Sequence, residues 1–421
     1  MHHFQYREDE LFCEAVPVAK IAEAVGTPFY LYSHATLKRH FEAFDSAFTG
    51  ADRLICFSAK ANTSLSILRL FADMGGGLDI VSGGELYRGL NAGVPPDRIV
   101  YSGVGKRIDE IDDALTAGIR MFNVESIQEL ELIDHRAGVL GRRAPISLRV
   151  NPDVDPKTHP YISTGLRKNK FGIDTETALE GYRKAMEMAH VDVVGIDCHI
   201  GSQITDAQPF KDALASLLRL KDQLEQMGVK IRYLDMGGGL GITYDRETPP
   251  HPGEYGRALV EAARGTGLTL ILEPGRVIVG NAGILVTRVL YRKSGPDKEF
   301  VIVDAGMNDL IRPTLYQAYH GILPVMRKGS EAIRADVVGP ICESGDFLAQ
   351  DREMSDVRRD DLLAVMSAGA YGFTMASNYC SRPRIAEVMV KDDQFEIIRK
   401  RETYGDLVDG ESVPDFIKED R

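Results

Sequence analysis

Short runs of apolar and β-branched residues recur through the first two thirds of the chain, at 54–57, 78–81, 99–101, 121–124, 146–150, 193–198, 233–236 and 268–272. Between them apolar positions fall at helical spacing, as in 64–70, 84–92, 108–117, 126–134, 175–188, 209–227 and 253–263. A brief apolar run bounded by turn residues reads as a buried strand, and strands alternating with helices read as parallel βαβ units. Eight such strands predict a (β/α)8 barrel. The interval between Val150 and Val193 is too long for one helix. It holds a Gly/Pro/Asn-rich loop at 151–173, of a length that inside a compact domain is usually functional.

Past Arg276 the pattern changes. Runs at 283–293, 299–304, 335–338, 362–367, 385–390 and 395–400 are strand-like with little helix between them, and Lys391-Asp392-Asp393-Gln394 reads as a hairpin turn. The aromatic strand at 27–32 has no place in an eight-stranded count, so it is assigned to this second region. The expectation is an α/β chain: a (β/α)8 barrel over 36–278, and a β-rich, barrel- or sandwich-like domain built from 1–35 together with 279–421.

Composition narrows the function class. The chain has 421 residues, enough for a barrel and a second domain, and its net charge of −12 argues against a nucleic-acid surface. No apolar run approaches membrane-spanning length, and Met1-His2-His3-Phe4 does not open a signal peptide. The five cysteines, Cys13, Cys56, Cys198, Cys342 and Cys380, are scattered, with neither a disulfide framework nor metal-ligand spacing. The expected setting is the cytoplasm, with no metal.

Chemistry-bearing residues gather after the predicted strands, the face on which barrels build active sites. Lys60 follows the first strand in Ser58-Ala59-Lys60-Ala61-Asn62. A surface lysine is the plain reading; a lysine leaving a buried strand can also be desolvated, which lowers its pKa toward the neutral amine a Schiff base needs. Gly237-Gly238-Gly239 follows the seventh strand, where backbone N–H groups can approach a phosphate and a following helix start would add its dipole. Arg276 follows the eighth strand after Glu273-Pro274-Gly275. Glu273 reads as a structural ion-pair member or as the carboxylate for a protonated pyridine nitrogen. His199, after the sixth strand, reads as a core histidine or as a flat ring that stacks on a cofactor. In the second domain Arg312 and Tyr316 are one helical turn apart, with Pro313 suited to a first turn. Cys342-Glu343 lies in a Gly/Pro-bounded segment unlike a core strand. A Schiff-base lysine, a phosphate cradle, an aromatic lid and a carboxylate for a pyridinium nitrogen together specify pyridoxal 5′-phosphate.

The chain resembles the fold-type III pyridoxal-phosphate-dependent decarboxylases, and within them the branch that acts on meso-diaminopimelate. The resemblance runs from Phe29-Tyr30 to about Tyr404. It is carried by the segments 58–62, 198–203, 237–240, 273–276, 312–316, 339–346 and 369–372. It implies that Lys60 holds the cofactor covalently, that His199 stacks on its ring, and that Glu273 meets the ring nitrogen. Ser202, Gly237, Gly238, Gly239, Gly275, Arg276 and Tyr371 would hold the cofactor and its phosphate. Arg276, Arg312, Tyr316, Glu343 and Tyr371 would bind the substrate. Cys342 would protonate the product carbon, delivered from the other subunit of a homodimer with shared active sites. His159 and Gly165, in the 151–173 loop, match in type and receive no role. The implied reaction is decarboxylation of meso-2,6-diaminopimelate at its D centre to L-lysine and carbon dioxide, the last step of lysine biosynthesis. The alternatives are a related decarboxylase of ornithine, arginine or carboxynorspermidine, a pyridoxal-phosphate racemase, or a non-catalytic cofactor-binding barrel.

Overall fold

The computed structural model describes residues 2–154, 170–329 and 331–418. Eight parallel strands close into a barrel: β1 (Arg53–Ser58), β2 (Gly77–Ile80), β3 (Ile99–Tyr101), β4 (Met121–Val124), β5 (Ala144–Arg149), β6 (Val191–Asp197), β7 (Tyr233–Asp235) and β8 (Thr269–Leu272). Each strand pairs with the next, and β8 returns to β1 through Leu270 to Leu272 opposite Arg53 to Ile55. Cys56, Val100, Met121, Val194 and Ile271, from five of the strands, form one buried cluster. Burial of each larger side chain of this kind is worth roughly 1.5–3 kcal/mol.

The helices between strands start and stop where local chemistry directs. Ser82 and Ser126 accept the backbone N–H groups of Glu85 and Glu129, capping helices Gly83–Asn91 and Ile127–Val139. Gly118, left-handed at φ 74°, ends helix Ile108–Ala117. The 151–173 loop lies mostly outside the described residues, His159 and Gly165 with it.

The chain divides into two compact units, Thr36–Asn281 with Gly369–Thr374, and Met1–Ala35 with Ala282–Ala368 and Met375–Arg421. The second is β-rich. Its main sheet runs Phe347–Ser355, Ala332–Val338, Glu299–Val303, Gly283–Ser294, Phe29–Ser33, Ala386–Lys391, Gln394–Arg399. The aromatic strand Phe29–Ser33 sits between Gly283–Ser294 and Ala386–Lys391, with all five residues buried. The opening residues, which show no clear periodicity, form a small meander of Phe4–Arg7, Glu10–Cys13 and Val16–Pro17. Strand Phe347–Ser355 also escapes the sequence pattern, because its centre, Gln350-Asp351-Arg352-Glu353, is polar. No described helix is long and apolar enough to cross a membrane. All five cysteines are free, Cys342 and Cys380 exposed and the others buried.

Candidate active site

Lys60 sits in a single 3-10 turn, Ala59–Ala61, directly after β1. Its Nζ donates to Asp79 Oδ2, at the end of β2, at 2.8 Å. Ser58 Oγ donates to the same oxygen at 2.9 Å and lies 3.0 Å from the Glu273 carbonyl, tying β1 to β2 and β8. The lysine side chain is 35% exposed while Asp79 is fully buried. Desolvation opposes the ammonium charge, but Asp79 and Glu273 outweigh it and hold the pKa above the ordinary lysine range. This corrects the expectation of a lowered lysine pKa. Burial was foreseeable from the strand; the carboxylate opposite was not.

Deeper in the barrel lies an acidic cluster. Oxygens of Asp197, Asp235 and Glu273, from β6, β7 and the end of β8, lie within 4.8 Å of one another, all buried. Desolvation pushes all three carboxyls up, Asp235 to about 7. Repulsion from Asp235 adds to the rise in Asp197 and Glu273, while hydrogen bonds from the Gly237 N–H, Asn123 and Glu273 hold Asp235 down. Three such neighbours cannot all be ionised at neutral pH. Arg149, at the end of β5, is buried and donates to Glu125 Oε1 at 2.7 Å, while Glu125 Oε2 accepts the N–H of Gly172 at 2.7 Å.

The glycine turn after β7 has an unexpected use. Gly237 donates its N–H to Asp235 Oδ1 at 2.9 Å, and Gly238 donates to His199 Nδ1 at 3.0 Å. Two of the three backbone donors are thus taken by the protein's own side chains. What the turn requires is space: a Cβ on Gly238 would lie 2.1 Å from the Glu273 carbonyl oxygen, and one on Gly239, at φ +113°, would lie 2.3 Å from that of Gly201. Nor does a helix follow at once, since the next one is Pro252–Ala263. The expected dipole assistance at this turn is therefore absent. His199 accepts at Nδ1 and so is neutral there; burial, then Arg149 and Lys60, hold its pKa well below the usual range.

Arg276 gathers the remaining groups. Its Nη2 donates to Ser202 Oγ at 3.1 Å and its Nη1 to Tyr244 Oη at 2.7 Å. The guanidinium lies 4.8 Å from the Tyr371 ring centroid. Tyr371, left-handed at φ 56°, donates its backbone N–H to the Ala61 carbonyl, beside Lys60. Gly275 packs under this arrangement, its Cβ position 3.0 Å from Ala61 Cβ. The structure thus brings Lys60, His199, Ser202, Gly237, Gly238, Gly239, Glu273, Gly275, Arg276 and Tyr371 to the carboxyl ends of the barrel strands and their loops.

The other four expected residues lie in the β-rich unit. Arg312 and Tyr316 occupy one short helix, Arg312–Tyr316, with Pro313 in its first turn. Arg312 is buried; its Nη1 donates to His320 Nε2 at 2.8 Å, while His320 Nδ1 donates to the Met366 carbonyl at 2.8 Å. Cys342 and Glu343 are exposed on the loop between Ala332–Val338 and Phe347–Ser355. Buried Asp346 anchors that loop by accepting the N–H groups of Met307 and Ile341 at 2.6 Å each. Tyr379 Oη donates to Glu343 Oε2 at 2.7 Å.

Residues 34–280 match the family described as "Pyridoxal-dependent decarboxylase, pyridoxal binding domain". The chain is 53% identical to the diaminopimelate decarboxylase of Pseudomonas aeruginosa over 98% of this chain and 99% of that one. The chain belongs to the diaminopimelate decarboxylase family. The relative from Aquifex aeolicus is 51% identical over 97% of both chains. The crystal structure of the Helicobacter pylori diaminopimelate decarboxylase complexed with L-lysine superposes with a TM-score of 0.90 at 44% identity, over 93% of this chain and 98% of that one.

The residues present fit the cofactor this family uses. An amine stands beside a buried carboxylate, a glycine turn leaves no room for side chains, and a hydroxyl and a guanidinium converge beside it. Asp79 Oδ1 and Asp197 Oδ1 are buried without a hydrogen-bond partner, as expected of a polar site shaped for a ligand. Residues the sequence reading left without a role include Asp79, Asn123, Asp235, Tyr244, His320 and Tyr379. The first three carried a signal, a polar residue within or closing an apolar strand. For the last three no local signal exists.

Proposed function

We propose that this chain removes the carboxylate at the D centre of meso-2,6-diaminopimelate and releases carbon dioxide and L-lysine. The observation that carries this reading is full-length similarity to diaminopimelate decarboxylases at about half identity, joined to a barrel mouth holding Lys60, Glu273 and the glycine turn. Bound pyridoxal phosphate supplies an electron sink for the pair left behind by the departing carboxylate. Lys60 would be its covalent anchor, and Asp79 Oδ2, which already accepts from Nζ, would take the proton the amine must lose. Glu273 would hold a proton at the ring nitrogen, and His199, neutral and fixed at Nδ1, would present its ring face to the cofactor. Ser202, Arg276, Tyr371 and Gly239 provide the phosphate site, with Gly237, Gly238 and Gly275 giving close approach.

Arg276, Arg312, Tyr316 and Glu343 grip the distal amino acid end, guanidinium for carboxylate and carboxylate for ammonium, with Tyr371 beside them. Cys342 delivers a proton to the α-carbon. We infer a homodimer in which each subunit's Cys342 and Glu343 complete the other's site, a reading supported by the family resemblance and by their exposure. A cytoplasmic setting is supported by five free cysteines.

The test is to incubate the purified protein with pyridoxal phosphate and meso-diaminopimelate and to measure lysine and carbon dioxide. Carbon dioxide from ornithine, arginine or carboxynorspermidine instead would move the chain to a neighbouring specificity. Conversion to the LL or DD isomer without carbon dioxide would make it a racemase. No turnover of any of these would leave a binding protein.

A further inference from the structure

Glu273 does not stand alone at the barrel centre, and what surrounds it must decide how its carboxyl lies. Asn123, the third residue of β4, is fully buried, and every hydrogen bond its side chain makes goes to another side chain of the site. Its Nδ2 lies 3.1 Å from Ser102 Oγ, 3.1 Å from Asp235 Oδ2 and 3.3 Å from Glu273 Oε1. Its Oδ1 accepts from Ser147 Oγ at 2.6 Å. Ser102 Oγ in turn donates to Glu273 Oε1 at 3.3 Å. The amide is oriented by this network: reversed, it would turn Oδ1 toward two carboxyl groups and lose the acceptor for the Ser147 hydroxyl.

We propose that Asn123 is the positioning residue of Glu273, its amide oriented by Ser147 so that it fixes the rotation of the Glu273 carboxyl and favours negative charge on it. The inference rests on the reading of Glu273 as the partner of the cofactor's ring nitrogen. The physical reason is that Asp197, Asp235 and Glu273 compete for too few protons, and a donor hydrogen bond stabilises the ionised form of whichever carboxyl receives it. Asn123 bridges two of the three, so it sets which oxygen of Glu273 meets a donor from within the protein.

The test uses holoenzyme loaded with pyridoxal phosphate labelled with nitrogen-15 in the ring, whose chemical shift separates a protonated from a neutral ring nitrogen. Asn123→Leu removes the donors while keeping the branched shape of the side chain. It should move the ring-nitrogen signal toward the neutral position and lower kcat roughly ten- to a hundredfold, the range covered by a hydrogen bond to a charged group, with KM changed less than about twofold. Ser147→Ala deletes only the hydroxyl that orients the amide and should shift the signal the same way by less. A signal unmoved in both variants, with only a lower melting temperature, would overturn the proposal. If Asn123→Leu does not fold, an unmoved signal in Ser147→Ala alone overturns it. Glu273→Gln is the control: it must move the signal, and if it does not, the Glu273 reading itself fails, whatever Asn123 does.

Discussion

Thr314 Oγ1 donates to the Gly345 carbonyl at 2.6 Å. That contact ties the short helix carrying Arg312 and Tyr316 to the loop carrying Cys342 and Glu343, so four residues from two distant stretches form one piece of the β-rich unit. Thr314→Val keeps the shape and removes the bond. The expected outcome is a rise in KM for meso-diaminopimelate of roughly two- to tenfold, as for loss of one hydrogen bond, with the melting temperature nearly unchanged. Steady-state kinetics and a thermal melt check it; an unchanged KM would mean the loop holds itself.

Lys60 gives a chemical prediction. Borohydride reduction of the cofactor-loaded protein should leave a pyridoxyl group on the peptide containing Lys60, and Lys60→Ala should be unlabelled and inactive. Mass spectrometry reads the result directly. Label on another lysine would sink the assignment of the whole site.

Gly238→Ala tests the glycine turn. The added carbon would lie 2.1 Å from the backbone oxygen of Glu273, so either β8 or the turn must shift. Overpacking of this kind costs roughly 1–3 kcal/mol, and here the displaced backbone belongs to Glu273, the proposed partner of the cofactor's ring nitrogen. Expected are a lower melting temperature and weakened cofactor binding by absorbance titration. Wild-type binding would show that the turn is looser than its geometry.

Shared active sites are tested by mixing. Lys60→Ala and Cys342→Ala homodimers should each be nearly inactive. Refolded together, they should form heterodimers with one intact composite site and regain at most about a quarter of wild-type activity if subunits pair at random. Heterodimers without activity would place Cys342 in its own subunit's site; an active Cys342→Ala homodimer would place it outside catalysis.

Glu402 predicts a pH dependence of stability. Burial alone would raise its pKa, but hydrogen bonds from the Arg384 side chain and backbone and from Asn378 lower it to about 2. A carboxyl depressed in the folded state stabilises it above the unfolded pKa, and that contribution is lost as pH falls toward the folded value. Glu402→Gln should therefore destabilise the protein at neutral pH, by up to roughly 3 kcal/mol. The gap from wild type should shrink as pH falls from about 4.5 toward 2. Denaturant melts across that range check it; a gap independent of pH would assign the effect to packing.

The barrel was legible in the sequence because a buried parallel strand must be apolar throughout and its helices must be amphipathic, so Ile99–Tyr101 and Ile108–Ala117 announce themselves by local pattern. Lys60, Glu273 and Arg276 were legible for a related reason: polar residues closing apolar strands stand out, and the barrel puts them all on one face. Their identities as chemistry came from residue type and from family resemblance. What only the tertiary structure decided is who faces whom. Lys60 is held as an ammonium because Asp79, nineteen positions on, lies 2.8 Å away, and no local pattern encodes a distance between neighbouring strands. Gly238 donates to His199, Arg312 to His320 and Tyr379 to Glu343 for the same reason. Charge states and hydrogen-bond partners depend on approach in space, and that is fixed when the barrel closes and the sheet pairs, not by the order of residues along the chain.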